Sequence, residues 1–395
     1  MHSADKPFPR PFFASRILIA ALALICVLAQ PAAARDRQIE GPQALRAALT
    51  AAVGGTLVLA DGDYGEVEIS TAFSPPLVLK AARLHRASFS VIRLNGAANV
   101  TLDGLRLREG LAVQKGARSI AVLNSRITGT FYCRSVDGLR IDNVESSDGR
   151  FGVLFNSVQN FSIKNSYIHH AVEDVMRITG NSYNGLVENN VLAETTGGRP
   201  IHPDLIQLFA ANGVTPHDLT IRGNLLYDMK NPGETMAQGI FMSDPAKDGY
   251  RNILIEDNLL RVASPNSIYI NGGQENVIVQ HNTLMPAGTG GAIIRLVGKG
   301  GLDNSGTIVT GNVVKSILDQ TKASQISDNF VYGKAADMST LFSSLDHTRW
   351  TSFLPVLGSE LDRSQMGAVR FLNDLQAARK PGAKAGVRLG TSWGQ

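Results

Sequence analysis

The chain has 395 residues, with 38 Lys and Arg against 34 Asp and Glu, which gives a formal net charge of +4 at pH 7. This balance is too even to indicate a partner of either sign, so a preference for an acidic ligand has to come from a local patch. A globular chain of this length usually divides into two domains, but no compositional break interrupts this one, which favours a single elongated domain.

The N-terminal segment is typical of a secretory signal peptide. Basic residues up to Arg16 precede an apolar run from Ile17 to Ala29, and Ala32 and Ala34 supply the small residues of a cleavage site. An uncleaved membrane anchor is the alternative, but the apolar run is short for a membrane span. We therefore expect residues 1–34 to be removed, leaving a periplasmic or secreted protein with no stable membrane span.

Cleavage would also change the cysteine content. Cys26 lies in the signal segment, so the mature chain keeps only Cys133 and cannot form an internal disulfide. No Cys/His cluster has zinc-ligand spacing, and no glycine-rich phosphate loop follows a strand. Export also argues against nucleic acid as a partner. We expect the protein to be a monomer.

Residues 35–60 are predicted to form an N-terminal cap. Residues 42–53 have the amphipathic spacing of a short helix that begins at a proline. The end of a solenoid exposes apolar core and unpaired strand edges, and such a helix is suited to cover them.

A ragged repeat dominates the chain from residue 99 to about 331. Each copy has a short β-branched strand, and in the later copies an asparagine stands three positions after an inward strand residue. Leu105, Ser125, Val144 and Ser166 hold the equivalent position in earlier copies. The asparagines are Asn190, Asn224, Asn258, Asn282, Asn312 and Asn329. An amide at a turn tolerates a left-handed backbone and hydrogen-bonds its neighbours, so stacked copies predict an asparagine ladder.

This pattern predicts an all-β fold, a right-handed, single-stranded parallel β-helix over residues 61–335 with roughly nine or ten coils. An antiparallel sandwich also has many short strands, but it does not predict one equivalent asparagine per turn. Residues 336–395 are predicted to be a C-terminal capping or irregular segment, with a helix over 364–379.

The stretch from Ala44 to Tyr64, with the pattern AL-x-x-AL-x-x-A-x-x-GG-T-L-x-L-x-DG-x-Y, resembles the pectin-lyase-like β-helix superfamily of secreted polysaccharide enzymes. The likeness covers about residues 40–335. It implies the fold, but not one chemistry, because the superfamily includes lyases, hydrolases, epimerases and binding proteins. Within it, the segment from His202 to Gln207 is similar to one found in many bacterial periplasmic members.

Five strands that follow the long loops align with apolar residues at all ten inward positions. The outward position between each pair reads Arg177, Gln207, Phe241, Tyr269 and Arg295, and Asn271 follows on the same face. Parallel coils lie about 4.8 Å apart, so these side chains should form one column. Aromatic rings for stacking and planar donors for carboxylates suit an extended uronate-containing sugar chain.

A second polar row precedes this column by three residues: Asp174, Asp204, Gln238 and Asn266. These residues either cap turns or act directly in catalysis or cation binding. Neighbouring carboxylates repel unless a proton or cation lies between them. A hard ion such as Ca²⁺ is therefore a candidate cofactor at Asp174 and Asp204, with Glu173 as an extra ligand, although the spacing of a dedicated calcium loop is missing.

Two long insertions carry further candidates. Arg199, His202 and Lys230 are expected to overhang the outward column. His169 and His170, by contrast, end a preceding turn and are predicted to be turn residues.

Taken together, these residues predict an exported polysaccharide lyase that acts by β-elimination. Arg177 and Arg295 bind uronate carboxylates, and Gln207 orients the sugar. His202 or Lys230 is the base, and Tyr269 is the acid. A C5-epimerase shares every step except the last. A hydrolase would use two carboxylates, such as Asp174 and Asp204. A non-catalytic polysaccharide-binding or envelope assembly protein would need no base.

Overall fold

Alternating apolar and polar residues form short parallel strands, and these strands stack coil upon coil into a solenoid. The computed structural model describes residues 36–197, 201–228, 237–287, 290–333, 336–344 and 350–368. Successive strands belong to three parallel sheets, which we name A, B and C in the order in which a coil visits them.

Sheet A contains Arg37–Ile39, Gly55–Leu59, Ala72–Ala81, Ala98–Asp103, Arg118–Leu123, Tyr183–Glu188, His217–Arg222, Tyr250–Glu256, Gly273–Gln280, Thr307–Thr310 and Gln325–Ser327. Sheet B contains Gly62–Asp63, Ala87–Phe89, Arg106–Leu107, Tyr167–Ala171, Val191–Thr195, Leu225–Asp228, Leu259–Val262, Thr283–Leu284, Val313–Val314 and Phe330–Val331. Sheet C contains Val67–Ile69, Ile92–Asn95, Leu111–Gln114, Met176–Thr179, Asp204–Phe209, Gln238–Met242, Asn266–Asn271, Ile293–Val297 and Ser316–Asp319.

Two long strands, Arg126–Asp142 and Glu145–Lys164, turn the corners and contribute to all three sheets. With them, sheet C has eleven stacked segments in the described part of the chain, slightly more than the predicted nine or ten coils. The predicted parallel β-helix is confirmed.

The core fills the inside of the coils with aliphatic side chains. All ten inward positions predicted for sheet C have 0% exposure: Met176, Ile178, Ile206, Leu208, Ile240, Met242, Ile268, Ile270, Ile294 and Leu296. Burial of each such side chain contributes about 1.5–3 kcal/mol relative to an exposed one. A register slip of one residue would turn all of them outward, so the core fixes which side chains face solvent.

The asparagine ladder lies at the corner between sheets A and B. From Asn190 to Asn312, each Nδ2 donates to the Oδ1 of the asparagine in the next coil at 2.9–3.0 Å, and the backbone N–H donates to the same oxygen. Each Nδ2 also donates to a backbone carbonyl, such as that of Ile163 or Val187. Ser125 and Ser166 continue the ladder as hydroxyl acceptors. The predicted stacking is confirmed.

The left-handed backbone belongs to a different residue than expected. Positive φ angles occur one position before each ladder residue, at Gly104, Asn124, Asn143, Asn165, Asn189, Gly223, Asp257, His281, Gly311 and Asp328. The ladder asparagine instead uses its amide to bond neighbouring coils. The turn therefore divides its requirements between two adjacent residues, one for conformation and one for hydrogen bonding.

Both ends of the described solenoid carry short helices. The N-terminal helix Gly41–Thr50 buries Leu45 and Ala48. At the other end, Met338–Leu341, the 3₁₀ turn Trp350–Phe353 and Glu360–Ser364 lie in a C-terminal segment. This segment packs Leu341, Phe342, Phe353, Leu361 and Ala368 against apolar outward residues of sheet B.

The predicted helix over 364–379 is wrong at its start. Helix Glu360–Ser364 ends where Gln365 adopts a left-handed φ of 55°, and residues 365–368 are not helical. Residues 369–379 and the predicted signal segment 1–34 lie outside the described residues.

Candidate active site on sheet C

The five outward side chains form one column across sheet C. Register pairs join Arg177 to Gln207, Gln207 to Phe241, Phe241 to Tyr269 and Tyr269 to Arg295. All five are half-buried and none lies in the core. The column continues toward the N-terminus as Leu154 and Tyr132, which the sequence alignment did not include.

Arg177 is paired with two acidic residues that directly precede its strand. Its Nε donates to Asp174 Oδ2 at 2.5 Å, and one terminal nitrogen lies 3.4 Å from Glu173 Oε2. The guanidinium also lies over the Phe151 ring, 4.2 Å from its centroid. Two carboxylates therefore compensate the charge of Arg177. The sequence pattern predicted Arg177 and Arg295 as equivalent ligands for uronate carboxylates and did not indicate this difference.

Asp174 and Asp204 are both fully buried and lie in adjacent coils. The backbone N–H of Asp204 donates to Asp174 Oδ1 at 3.0 Å, so both oxygens of Asp174 have partners. Burial, together with the neighbouring Asp204 carboxylate, raises the pKa of Asp174 to about 7, although Arg177 opposes the shift. Burial also raises the pKa of Asp204, with His202 opposing it. Asp204 Oδ2 has no hydrogen-bond partner in the described chain.

A chain of directed hydrogen bonds fixes the tautomer of His202. Arg295 can only donate, so Asn266 turns Oδ1 toward Arg295 Nε at 2.8 Å. The Asn266 amide nitrogen then donates to Gln238 Oε1 at 2.6 Å. Gln238 Nε2 is left to donate to Asp204 Oδ1 at 3.3 Å and to His202 Nε2 at 2.9 Å. His202 Nε2 is therefore the acceptor, and the imidazole proton is on Nδ1.

His202 and Asp204 lie side by side as a dyad. His202 Nδ1 lies 3.8 Å from Asp204 Oδ2, and the His202 side chain is 63% exposed while Asp204 is buried. The Asp204 carboxylate raises the pKa of His202, and burial opposes this shift. A neutral imidazole with its lone pair on Nε2 and a carboxylate behind Nδ1 is the arrangement of a general base.

The aromatic part of the column adjoins this dyad. The Phe241 ring lies 5.3 Å from the His202 ring and 4.5 Å from the Tyr269 ring. Burial raises the pKa of Tyr269, so its phenol stays protonated at neutral pH. Lys299 and Asp244 form an ion pair, and both act on the pKa of Tyr269: Lys299 lowers it and Asp244 raises it. The sequence did not indicate this ion pair because 55 residues separate its partners.

Two predicted substrate contacts differ in accessibility. Gln207 is half-buried, and its Oε1, which is itself shielded from solvent, has no hydrogen-bond partner in the described chain. Asn271, the last residue of the strand Asn266–Asn271, is only 1% exposed. We therefore withdraw Asn271 as a direct substrate contact.

The predicted Ca²⁺ set is not assembled. Within the described ranges, no group of three or more His, Cys, Asp or Glu side chains is placed to hold a metal ion. Arg177 explains this result, since it occupies Asp174 and approaches Glu173, leaving Asp204 without a second free carboxylate. Arg199 and Lys230 lie outside the described residues.

His169 and His170 are strand residues and not simple turn residues. Both belong to Tyr167–Ala171 in sheet B, although His170 has a left-handed φ of 54°. Their Nδ1 atoms lie 2.6 Å apart.

Several solved structures align with this chain at low sequence identity. The A-module of the mannuronan C-5 epimerase AlgE4 of Azotobacter vinelandii aligns with a TM-score of 0.49 and 13% identity, over 74% of this chain and 96% of that one. Pectate lyase Pel9A aligns with a TM-score of 0.49 and 15% identity, over 82% and 91%. The adhesin PfbA of Streptococcus pneumoniae aligns with a TM-score of 0.44 and 10% identity, over 73% and 88%.

At such low identity, an epimerase, a lyase and an adhesin assign no activity to this chain. No curated protein matches it in sequence. Among the described helices, none is long and apolar enough to cross a membrane. Residues 90–284 match the family model described as right handed beta helix region. This match and the coil geometry together identify the protein as a right-handed parallel β-helix, the fold that the resemblance to the pectin-lyase-like superfamily implied.

Proposed function

We propose that the protein is an exported enzyme that acts on an acidic, uronate-containing polysaccharide along sheet C, by β-elimination. The observation that carries the proposal is the His202 tautomer. Its Nε2 lone pair is set by the donor chain from Arg295, and Asp204 lies behind its protonated Nδ1.

In the proposed reaction, His202 Nε2 takes the proton from C5 of a uronate. The C4–C5 double bond forms as the C4–O glycosidic bond breaks, and Tyr269 gives its phenolic proton to the departing oxygen. Asp204 stabilises the imidazolium that results. His202 is exposed enough to turn from Gln238 toward substrate.

Arg295 is the proposed ligand for the uronate carboxylate. Its partner through Nε is the neutral Asn266, and no carboxylate in the described chain pairs with it. Its terminal nitrogens can therefore bind a carboxylate with full charge and stabilise the negative charge that develops as C5 loses its proton. Gln207 orients the sugar, and Arg177 acts more weakly because Asp174 and Glu173 already compensate it. Lys230 stays predicted as the alternative base, and Arg199 as a further substrate-binding residue.

C5-epimerisation is the second candidate, favoured by one observation. His202 and Tyr269 are two separate proton-carrying groups that both adjoin Phe241, and an epimerase needs one group to remove and another to return the proton. Hydrolysis is disfavoured because both oxygens of Asp174 are engaged, which leaves Asp204 without a partner carboxylate.

The test is to incubate the protein with polymannuronate, polyguluronate and polygalacturonate in deuterated water. β-Elimination produces the ultraviolet absorbance of an unsaturated uronate. Epimerisation produces no such chromophore but incorporates deuterium at C5. New reducing ends without either signal indicate hydrolysis. A polymer that binds without any of these changes would overturn the enzyme proposal in favour of a binding or envelope assembly protein.

A further inference from the structure

The outward face of sheet B changes character along the solenoid. In the later coils its outward residues, including Val191, Leu225 and Leu259, are apolar and covered by the C-terminal segment. In the earlier coils the same face carries charged and hydroxyl side chains, and an open cleft of about 210 Å³ lies among them. The cleft is on a different sheet from the candidate active site.

Two arginines are stacked in this cleft. Arg106 and Arg126 are register partners in adjacent coils, so their backbones lie about 4.8 Å apart. Both side chains line the cleft. Like charges stacked at neighbouring positions are destabilising unless an anion lies close by.

The cleft provides too little negative charge for both guanidinium groups. Glu145, the register partner of Arg126 in the next coil, forms an ion pair with Arg126 Nε at 2.9 Å. Its other oxygen lies 3.4 Å from His169 Nε2. Arg106 is exposed and has neither a hydrogen bond nor an ion pair with any residue that the structure describes. Thr128, also in the lining, has an exposed hydroxyl that can donate to the same ligand.

His85 lies near the two arginines. Burial lowers its pKa and the charges of Arg126 and Arg106 act in the same direction, while the backbone of Asn124 and the Glu145 carboxylate oppose the shift. A group that is itself uncharged at neutral pH thus lies next to two permanent cations.

We propose that this cleft on sheet B is a second, non-catalytic binding site for an oxyanion, held between the guanidinium groups of Arg106 and Arg126 with the Thr128 hydroxyl as a further donor. A carboxylate, sulfate or phosphate matches the planar donors of arginine. The ligand is either a charged group on a saccharide or a free oxyanion.

The experiment separates this site from the one on sheet C. Binding is measured by calorimetry at low ionic strength in the double variant His202→Ala, Arg295→Gln, which removes the proposed base and carboxylate ligand of sheet C. Sodium sulfate, sodium phosphate and uronate trisaccharides are the probes. Arg106→Gln is added to this background, with Arg140→Gln as the matched control, because Arg140 is an exposed arginine of sheet A paired to Asp142.

We expect Arg106→Gln to weaken binding by about tenfold or more, and Arg140→Gln to change it by less than about twofold. Higher salt should weaken the binding that depends on Arg106. Binding of the trisaccharides but not of the free ions identifies a saccharide ligand, and the reverse identifies a free oxyanion. Both results support the site.

The proposal is overturned if none of the probes binds, or if Arg106→Gln binds them as tightly as the background protein. Thermal unfolding of Arg106→Gln checks that the exposed substitution leaves the fold intact. Turnover of uronate polymers by the single variant Arg106→Gln should equal that of the unmodified protein. A failure at sheet B is thereby distinguished from a failure of the enzyme proposal.

Discussion

An asparagine ladder and a polar row run along this solenoid, and they differ in composition and in how fully their side chains are paired. The asparagine ladder repeats one residue type, is buried, and satisfies each amide with neighbouring coils. The polar row that begins the sheet C strands changes residue type at each coil, from Asp174 and Asp204 to Gln238 and Asn266. It contains an unpartnered carboxylate oxygen and two raised carboxyl pKa values.

The difference shows how a repeat protein can carry chemistry on a uniform frame. A ladder of identical amides stabilises each coil in the same way, so it has no position that is chemically distinct. The polar row uses the same stacking geometry, but its side chains differ from coil to coil. Their hydrogen bonds therefore all run one way, from the donor Arg295 to the acceptor nitrogen of His202. Buried carboxyl groups with shifted pKa values in such a row are characteristic of functional sites.

The largest effect is expected from breaking the scaffold ladder. Asn258→Ala removes the acceptor of the Asn224 amide and backbone N–H, and it also removes the donor to the Ile221 carbonyl. Each buried group left unpaired costs about 1–3 kcal/mol, so we expect a loss of about 3 kcal/mol or more in the free energy of unfolding. Urea unfolding measures it. Asn329→Ala, at the partly exposed last rung, is the control and should cost less. Equal losses would contradict the role of burial.

The next effect concerns the site. His202→Ala should lower kcat by about 10²-fold or more and leave KM nearly unchanged, because proton abstraction belongs to the transition state. Steady-state kinetics on the uronate polymer that proves active provides the measurement. His281→Asn serves as control, since His281 occupies a left-handed turn position where other coils have asparagine. Full activity in His202→Ala, combined with inactive Lys230→Ala, would assign the base to Lys230.

Substitutions of Arg295 and Arg177 should have different effects, one on kinetics and the other on stability. Arg295→Gln is expected to raise KM and lower kcat, together about tenfold to a hundredfold in kcat/KM, because it removes a contact present in the ground state and stronger in the transition state. Arg177→Gln should chiefly lower the melting temperature, since it leaves the buried Asp174 without its cation, whereas Glu173 keeps its ion pair with Arg150. Kinetics and thermal unfolding of both variants test this. The reverse assignment would restore Arg177 as the principal uronate ligand.

The frame was predictable from the sequence because its signals are local. Period-two alternation and the recurrent asparagine fix the register, and register alone brings Arg177, Gln207, Phe241, Tyr269 and Arg295 into one column. The left-handed residue was misplaced by one position because glycine, asparagine, aspartate and histidine all serve there, which hides the pattern.

Pairing between side chains was not predictable in the same way. Nothing in the spacing of Asp174 and Arg177 indicates that they bind one another instead of a cation and a substrate, because that choice depends on χ angles and burial. The donor chain that sets the His202 tautomer joins residues up to 36 positions apart across loops of unequal length. Such a chain becomes visible only when the side chains have been placed.

The smallest predicted effect is a pH dependence of stability that belongs to the polar row alone. The ordinary pKa of an aspartate is 3.8, and burial raises that of Asp174 to about 7 in the folded protein. Between these values the folded state holds a proton that the unfolded state has released. The stabilisation from this group is therefore fully present below about pH 4 and is lost as the pH rises through about 7, and the raised pKa of Asp204 acts in the same direction. One proton of difference changes the free energy of unfolding by about 1.4 kcal/mol per pH unit, which is the upper limit for the Asp174 contribution.

In Asp174→Asn this pH dependence should shrink, so the free energy of unfolding should fall less between pH 5 and pH 7 than it does in the unmodified protein. The comparison of slopes holds whatever absolute stability is lost with the Arg177 ion pair. Asp303→Asn is the matched control, because a hydrogen bond from Ser305 lowers the pKa of Asp303 and its titration lies below this range. Urea unfolding at half-unit pH intervals measures the slopes, and an Asp174→Asn slope equal to that of the unmodified protein would show that the folded state does not retain the proton at Asp174.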